Sequence, residues 1–402
     1  MIICITNRSI CKGDFLKRIE EIAKAKPHAI VLREKDLSHE EYQTLAEKCK
    51  KIVDKYNTSF IVHSDLEAAK NLGIKKIHLP MNMVFKHQNE IKNFETVGVS
   101  VHSVEDAKIA EKLGATYLIA GHIFVTGTKK DVAPRGIKFL KDVCSAVSIP
   151  VFAIGGITKE NIAQLRKVGA AGGGIMSAIM TCDSVEDTLK KFISASSICY
   201  VVGAGCFFKH DFKPETNDYI IAADGGFKYL SEIGIHPDLI IGDFDSVSKK
   251  PKHDNIITLK AEKDDTDMML ALKEGLAKGY KTFHIYGGTG DRPEHTLANV
   301  QALAYLSKKD ARGFLFGENR VTTVITNGEI NFDDDKEGYI SVFSYSDKSR
   351  GVNLSGLKYE LKDKTILNDM PIGVSNEFIG KKSKISVENG TILVIWGTDS
   401  DA

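Results

Sequence analysis

The feature that most restricts the fold of this chain is a rhythm. Over residues 1–196, short apolar runs alternate with longer stretches whose apolar residues recur at helical spacing. The apolar runs are IICIT at the start, AIVLRE from Ala29, SFIVHS from Ser59, KKIHLP from Lys75, VGVSVH from Val97, TYLIAG from Thr116, PVFAIGG from Pro150 and AGGGIMS from Ala171. Runs of this kind read as strands buried on both faces. Between them, HEEYQTLAEKCKKIVDKY places Leu45, Cys49, Ile52 and Val53 at helical spacing, and VEDAKIAEKLG and KENIAQLRKVGA follow the same pattern. The connection from Asn82 to Phe94 is shorter and weaker. Eight buried strands alternating with helices over residues 1–196 predict a compact (β/α)8 barrel. A doubly wound open sheet is the alternative, and eight units filling the length favour closure.

ISASS from Ile193 reads as a short linker, after which the pattern restarts. ICYVVGAG, YIIAADGG from Tyr219, DLIIGDFDS from Asp238 and TFHIYGGTG from Thr282 read as strands. DTDMMLALKEGLAKG and EHTLANVQALAYLSKK read as helices between them. This predicts an open α/β domain over 197–325, with Gly and Asp at strand C-termini, where such folds place ligands. Beyond about residue 320 the helical patterns stop. VTTVITNGEINF, YISVFSYS, GVNLSGLKY, PIGVSNEF and KISVENGTILVIWG read as short strands with Gly/Asn turns, which predicts an all-β lobe over 326–402, a sandwich or jelly roll. The class expected is α/β: a TIM barrel, an open α/β domain, then an all-β sandwich lobe.

Charge and cysteine content exclude several roles. Lys+Arg number 54 against 53 Asp+Glu, a formal net charge of +1, so neither a nucleic-acid groove nor a polybasic membrane patch is expected. No apolar run approaches the ~18 residues of a transmembrane helix. MIICITNRSI carries no basic leader and reads as a strand, not a signal peptide. The seven cysteines are scattered and form no CxxC pair, which suits reduced thiols in a cytoplasmic protein.

The second half concentrates carboxylates at its strand ends. Asp243 and Asp245 in GDFDS are two apart and face one side if extended. KDDTD, from Lys263 to Asp267, opens a helix with Thr266 or Asp265 near its cap. Such carboxylates suit a hard, hydrated Mg²⁺ shared with substrate phosphates; solvated turns and helix caps are the plainer alternative. YGGTGDRPEHTLANV, from Tyr286, is Gly-rich and carries Arg292 ahead of a helix starting near Glu294. Glycines let the backbone approach phosphates, a helix start attracts anions, and Arg clamps a phosphate at two points. AADGG adds Asp224 at another strand end. Gly203 to Gly205 lacks the third glycine of a dinucleotide fingerprint and reads as a tight turn.

The ordered set ADGG, GDFDS, KDDTD, GGTGDRPEHTLAN and GVSNEF, covering about residues 198–398, resembles thiamine pyrophosphokinase. The resemblance implies an α/β domain followed by a β-sandwich, a homodimer, and transfer of a pyrophosphoryl group from ATP to the thiamine hydroxyl, leaving AMP. It implies that Asp243, Asp245, Asp264, Asp265 and Asp267 form an acidic Mg–ATP site, with Asp243, Asp245, Asp267 and Arg292 in the chemistry. Asp224 and Gly225 would lie near the nucleotide, and Gly288, Arg292 and His295 would line the phosphate loop. Ser375 and Asn376 would hold the thiamine pyrimidine across the dimer. Glu294 stands where the family usually has Asp. Trp396 is open between stacking on thiamine and a place in the core. Displacement at phosphorus asks for positioning and charge neutralisation more than covalent help, which these residue types supply.

In the first half, VLREKD ends the second predicted strand with Arg33 and Lys35. AIGGI ends the seventh with Gly155 and Gly156, and GIMSAI ends the eighth with Ser177 and Ala178. Loops after strands 7 and 8 are the usual phosphate site of such barrels. LREKD, SVHS, TGTKK, AIGGIT and SAI resemble the thiamine phosphate synthase superfamily, which joins a pyrimidine diphosphate to a thiazole phosphate. The pyrimidine and metal positions depart from it. Val31 replaces a Gln, Ser64–Asp65 stands for Asn–Asp, and Pro80, Met81, Asn82 and Met83 stand for Gly-Gln-x-Asp, leaving Asp65 as one presumed Mg²⁺ ligand. GHIFVTGTKKDVAPRG instead matches the GHxFxTxxKKxxxxRG of the sister thiazole tautomerases. That resemblance implies an aromatising tautomerase acting on a thiazole carboxylate phosphate. His122 would shuttle the proton, since imidazole titrates near neutrality, and Lys129 with Arg33 would hold the carboxylate. A thiamine phosphate synthase and a non-catalytic ligand-binding module are the alternatives.

Overall fold

The computed structural model describes residues 1–127, 132–209, 212–243, 253–259 and 264–398. The chain forms two compact units, Met1–Ser196 and Ser197–Ala402.

In the first unit, β1 (Ile2–Ile5), β2 (Ala29–Leu32), β3 (Phe60–His63), β4 (Lys76–Pro80), β5 (Thr96–Val101), β6 (Tyr117–Gly121), β7 (Val151–Ile154) and β8 (Gly172–Ile175) close into a barrel in that order. Every pair is parallel, and β8 returns to β1 with Gly174 opposite Ile3. The period-two geometry of a strand sorts the side chains. Ile3, Ile5, Val31, Ile61, Tyr117 and Phe152 fill the interior as one cluster. Their neighbours Ile2, Cys4, Ile30, Leu32 and Val62 pack with the helices in another. A Cβ on Gly172 would lie 1.9 Å from the Met1 carbonyl oxygen, so only glycine closes the barrel there.

The helix His39–Asp54 begins with a capping box between Ser38 and Glu41 and buries Tyr42, Ala46, Cys49 and Val53, one stripe at helical spacing. The Tyr42 hydroxyl donates to the Leu32 carbonyl (2.6 Å) and accepts from the His63 N–H (2.9 Å), tying this helix to the ends of β2 and β3. Tyr42→Phe leaves two buried backbone groups without that partner. The expected loss is about 1–3 kcal/mol, read as a lower midpoint in chemical denaturation; an unchanged midpoint contradicts the tie. The weak connection after β4 holds only a helix at Met81–Lys86 and a 3-10 turn at Ile91–Asn93.

The second unit begins with β9 (Ile198–Val202), β10 (Tyr219–Ala223), β11 (Leu239–Gly242), β12 (Ile256–Thr258), β13 (Thr282–Tyr286) and β14 (Arg312–Gly317). It continues with β15 (Arg320–Thr326), β16 (Glu329–Phe332), β17 (Tyr339–Ser344), β18 (Lys348–Ser355), β19 (Leu361–Leu367), β20 (Asn376–Glu377), β21 (Ser383–Ser386) and β22 (Thr391–Gly397). Ten of these form one sheet in the order β12-β11-β10-β9-β13-β14-β15-β22-β17-β20. It is parallel from β12 to β14 and antiparallel beyond. The expected α/β domain and β lobe therefore share a single sheet, and the 325/326 division falls inside β15. A second sheet, β16-β21-β18-β19, completes the sandwich. Ile330, Val352, Leu354 and Ile385 of this sheet share a core with Ile340, Val342, Ile392 and Val394 of the large one. Trp396 is buried there, 5.2 Å from the Phe332 ring, so of its two expected roles it takes the core one.

PIGVSNEF was expected as a full strand, but only Asn376–Glu377 pairs. Ser375 has φ +57 and Gly373 is held by its carbonyl to the Val342 N–H, so the segment bends before it can extend. All seven cysteines are free thiols. Among the described residues no helix is long and apolar enough to cross a membrane.

Candidate functional site

The order of the large sheet places β9 between β10 and β13. Chain crossing from one side of β9 to the other opens a crevice at the carboxyl ends of the strands. A cavity of about 420 Å³ lies there, lined by the 203–206 and 287–292 loops together with Asp224, Asp267 and His295. Carboxylate oxygens of Asp224, Asp243 and Asp267 lie within 4.8 Å of one another. Asp224 follows β10 and Asp243 follows its neighbour β11. Thr266 caps the helix Asp267–Ala277 by accepting the Met269 N–H (3.1 Å), which sets Asp267 in the first turn. A Cβ on Gly226 would lie 1.9 Å from the Val202 carbonyl oxygen, so glycine is what lets the turn carrying Asp224 sit against β9.

Asp224 Oδ1 is buried and accepts no hydrogen bond. Three carboxylates this close, one with an orphaned buried oxygen, are stable only beside positive charge. An all-oxygen set of this kind fits a divalent cation such as Mg²⁺ that completes its shell with water and phosphate.

The five aspartates of the expected acidic site divide. Asp243 and Asp267 enter the cluster, and Asp245 lies outside the described residues. Asp264 is exposed and Asp265 pairs with Lys273 at 2.6 Å; neither joins the cluster, because the chain turns at the Thr266 cap and sends Asp265 along the helix. Asp224, assigned from sequence to the nucleotide turn, stands among the carboxylates instead. The available signal was its position at the end of a strand adjacent to the one bearing GDFDS.

Gly288, Arg292 and His295 line the cavity, while Gly225 precedes the helix Gly226–Glu232. The Arg292 side chain is 70% exposed and pairs with Glu294 at 2.8 Å. In the β lobe, Ser375 is exposed, but Asn376 is 3% exposed and committed. Its Nδ2 donates to the Tyr359 carbonyl (2.6 Å) and its Oδ1 accepts the N–H groups of Tyr359 and Glu377 (2.9 Å each). Within one chain Asn376 is thus a clamp on the 358–360 segment.

In the barrel, Arg33 and Lys35 flank Glu34, whose buried carboxylate accepts the Thr6 hydroxyl (2.6 Å) and the Arg8 N–H (2.8 Å). Lys35 lines a cavity of about 720 Å³ at the ends of β2, β3 and β4, together with His63 and Ser64. Sequence reasoning missed His63. Burial, and then the charges of Arg33 and Lys35, push its imidazole down to about 3, so it stays neutral at the barrel mouth.

His122 follows β6, is 5% exposed and donates from Nε2 to the Val132 carbonyl (3.1 Å). A Cβ on Gly155, which has φ +93, would lie 2.2 Å from the His122 Cβ, so Gly155 seats directly on His122. Gly156 has φ +64, and Ser177 opens the single-turn helix Ser177–Met180 that contains Ala178. Lys129 lies outside the described residues. Asp65, the presumed Mg²⁺ ligand, caps the helix Leu66–Asn71 through its Oδ1 and the Ala68 N–H (2.8 Å), and its Oδ2 takes His39 Nδ1 (2.8 Å). It also lines the cavity at the ends of β2, β3 and β4.

Family models match along most of the chain. Thiamine monophosphate synthase matches residues 2–179, the catalytic domain of thiamin pyrophosphokinase 214–315, and its vitamin B1 binding domain 327–392. A thiamine-phosphate synthase of Clostridium tetani is 37% identical over 188 residues, 45% of this chain and 88% of that protein. One from Clostridium botulinum is 38% identical over 186 residues, 45% of this chain and 91% of that protein. A solved thiamine pyrophosphokinase from Bacillus subtilis is 29% identical with TM-score 0.46, covering 50% of this chain and 99% of that one. The chain belongs to the thiamine-phosphate synthase family through its N-terminal barrel, and carries that barrel fused to the catalytic and vitamin B1-binding domains of a thiamin pyrophosphokinase.

Proposed function

We propose that the second unit is a Mg²⁺-dependent thiamine pyrophosphokinase that converts ATP and thiamine into thiamine diphosphate and AMP. The observation that carries this reading is the carboxylate triad of Asp224, Asp243 and Asp267 facing two glycine loops across one crevice. The triad would hold the metal, which when bound neutralises charge on the phosphates. The glycine loops admit the polyphosphate backbone to backbone. Arg292 exchanges Glu294 for a phosphate oxygen, a short swing for a side chain already 70% exposed. His295 stands at the rim of the same cavity. Purified chain with Mg–ATP and thiamine should release AMP and thiamine diphosphate in equal amounts; no AMP would refute the reading.

The proposed boundaries are 1–196 for the barrel, 197–325 for the kinase catalytic domain and 326–402 for the thiamine-binding lobe. Tyr339, Tyr359, Met370, Ile372 and Val374, between 46% and 61% exposed around Ser375, support a homodimer through this lobe. Sedimentation should give about twice 44.2 kDa, and Ile372→Asp should shift it toward monomer and raise the KM for thiamine. A monomeric wild type would remove the shared thiamine site from the proposal. The free thiols fit a cytoplasmic enzyme.

For the barrel we infer an aromatising tautomerase acting on a thiazole carboxylate phosphate. Support comes from His122 seated on Gly155 and from the cap and histidine bonds that Asp65 already makes. A synthase must hold a diphosphate and its metal, and a lone Asp65 carboxylate that already accepts from the Ala68 N–H and pairs with His39 is a poor home for one. With Nε2 donating to Val132, the other ring nitrogen, Nδ1, is the proton acceptor of neutral His122. Arg33 would hold the carboxylate, and Gly155, Gly156, Ser177 and Ala178 the phosphate. The names of the relatives favour the alternative, a thiamine-phosphate synthase. Supplying the purified chain with each substrate set separates them: the tautomerase makes an aromatic thiazole, the synthase makes thiamine phosphate.

A further inference from the structure

We propose that Asn299 is the positioning residue that makes the loop after β13 a cradle for the polyphosphate; the proposal rests on the kinase reading of the second unit. Four consecutive carbonyl groups run along this loop, from Tyr286 to Thr289. The loop after β9 takes three of them: Gly203 N–H donates to Tyr286 (2.8 Å), Gly205 N–H to Gly287 (2.8 Å) and Cys206 N–H to Thr289 (2.7 Å). The fourth, on Gly288, has no backbone donor, and Asn299 Nδ2 donates to it at 2.7 Å. Asn299 is 6% exposed, on the helix Pro293–Ser307, and lines the same cavity.

The consequence is a stretch, Gly288 and Thr289, whose carbonyls are engaged while its N–H groups are not. With all four oxygens engaged, the N–H groups of Gly288, Thr289, Gly290 and Asp291 are the loop's uncommitted polar edge, since among the described residues none donates to a protein acceptor. Successive backbone N–H groups form an anion site, and the engaged oxygens of Gly288 and Thr289 do not compete there. The approach of the two loops depends on glycine, as a Cβ on Gly205 would lie 2.3 Å from the Thr289 oxygen. Those three bonds are backbone-encoded, so Asn299 is the side chain on which the remaining carbonyl depends. A carboxylate in its place cannot donate and repels the Gly288 oxygen toward the cavity, where it meets the anionic substrate.

The test compares wild type with Asn299→Asp and Asn299→Ala, measuring the KM for ATP and for thiamine and the affinity for inorganic tripolyphosphate with Mg²⁺. The expected result is a weakening of ATP and tripolyphosphate by at least ~10-fold in Asn299→Asp, less in Asn299→Ala, with the KM for thiamine within about twofold. If Asn299→Asp does not fold, Asn299→Ala decides by the same split. ATP and tripolyphosphate within twofold of wild type overturn the proposal. Equal loss for thiamine and ATP overturns it too, because that marks a residue of the fold and not of the loop. If wild type itself neither binds tripolyphosphate nor forms AMP, the kinase reading has failed first.

Discussion

Asp267→Asn lowers pyrophosphoryl transfer at least ~10²-fold, the scale of a lost charge contact in a transition state, and Asp243→Asn does the same. Asparagine keeps the volume of the side chain, so the crevice retains its shape while the triad drops one of three negative charges. The Thr266 cap that sets the first turn is untouched, which separates the effect from helix loss. Steady-state AMP release at saturating thiamine is the measurement, repeated over a range of Mg²⁺. Part of the deficit should be recovered at high Mg²⁺, as expected when a ligand is removed. Asp264→Asn and Asp265→Asn are the internal controls. Asp264 is exposed, and Asp265 spends its charge on Lys273 in a partly exposed pair worth only ~0–1 kcal/mol. Both should turn over within a few fold of wild type. Near-normal turnover in Asp243→Asn and Asp267→Asn together contradicts the metal site. A collapse in the Asp264 and Asp265 variants instead would mean that the crevice closes further around the nucleotide than these positions show.

The barrel was legible because parallel strands buried on both faces leave continuous apolar runs, and eight of them fit one rhythm. The continuity of the large sheet was not. β15 pairs with β14 through a short hairpin but with β22 across some seventy residues of chain, and local pattern carries no record of a partner that distant. The same limit explains the acidic site. GDFDS and KDDTD announced carboxylates, but which of Asp264, Asp265 and Asp267 turns inward is decided by one helix cap. Asp224 joined them only because β10 lies beside β11. Asp65 carried a second signal that was passed over: an aspartate just ahead of a helical stretch is a cap candidate, and three residues on stands Ala68, whose N–H it takes. Asn376 was expected in a strand and against thiamine, yet its bonds run to Tyr359, seventeen positions away.

His122→Ala abolishes barrel turnover, by at least ~10² and toward the upper end of what general acid–base groups supply, while AMP release from the second unit stays unchanged. The readout is aromatisation of the thiazole carboxylate phosphate, with exchange of the migrating proton into deuterated solvent followed alongside. His122→Gln separates chemistry from packing. It places an amide donor at the ε position facing the Val132 carbonyl and fills most of the space beside Gly155, but has no nitrogen that accepts and returns a proton near neutrality. Both variants should therefore lose exchange, while the affinity for the substrate phosphate, proposed to rest with the Gly155, Gly156, Ser177 and Ala178 loops, stays close to wild type. Exchange that persists in both moves the proton transfer to another group, and His63, held neutral by burial and by the charges of Arg33 and Lys35, is the imidazole to try next. If instead wild type forms thiamine phosphate from the two precursors, the barrel is a synthase, and its product already carries a phosphate where the kinase needs a hydroxyl. A phosphomonoester hydrolysis would then have to stand between the two halves of one chain. A barrel that binds a thiazole phosphate yet turns over neither substrate set is a ligand-binding module, and the kinase is then the single catalytic site of the chain.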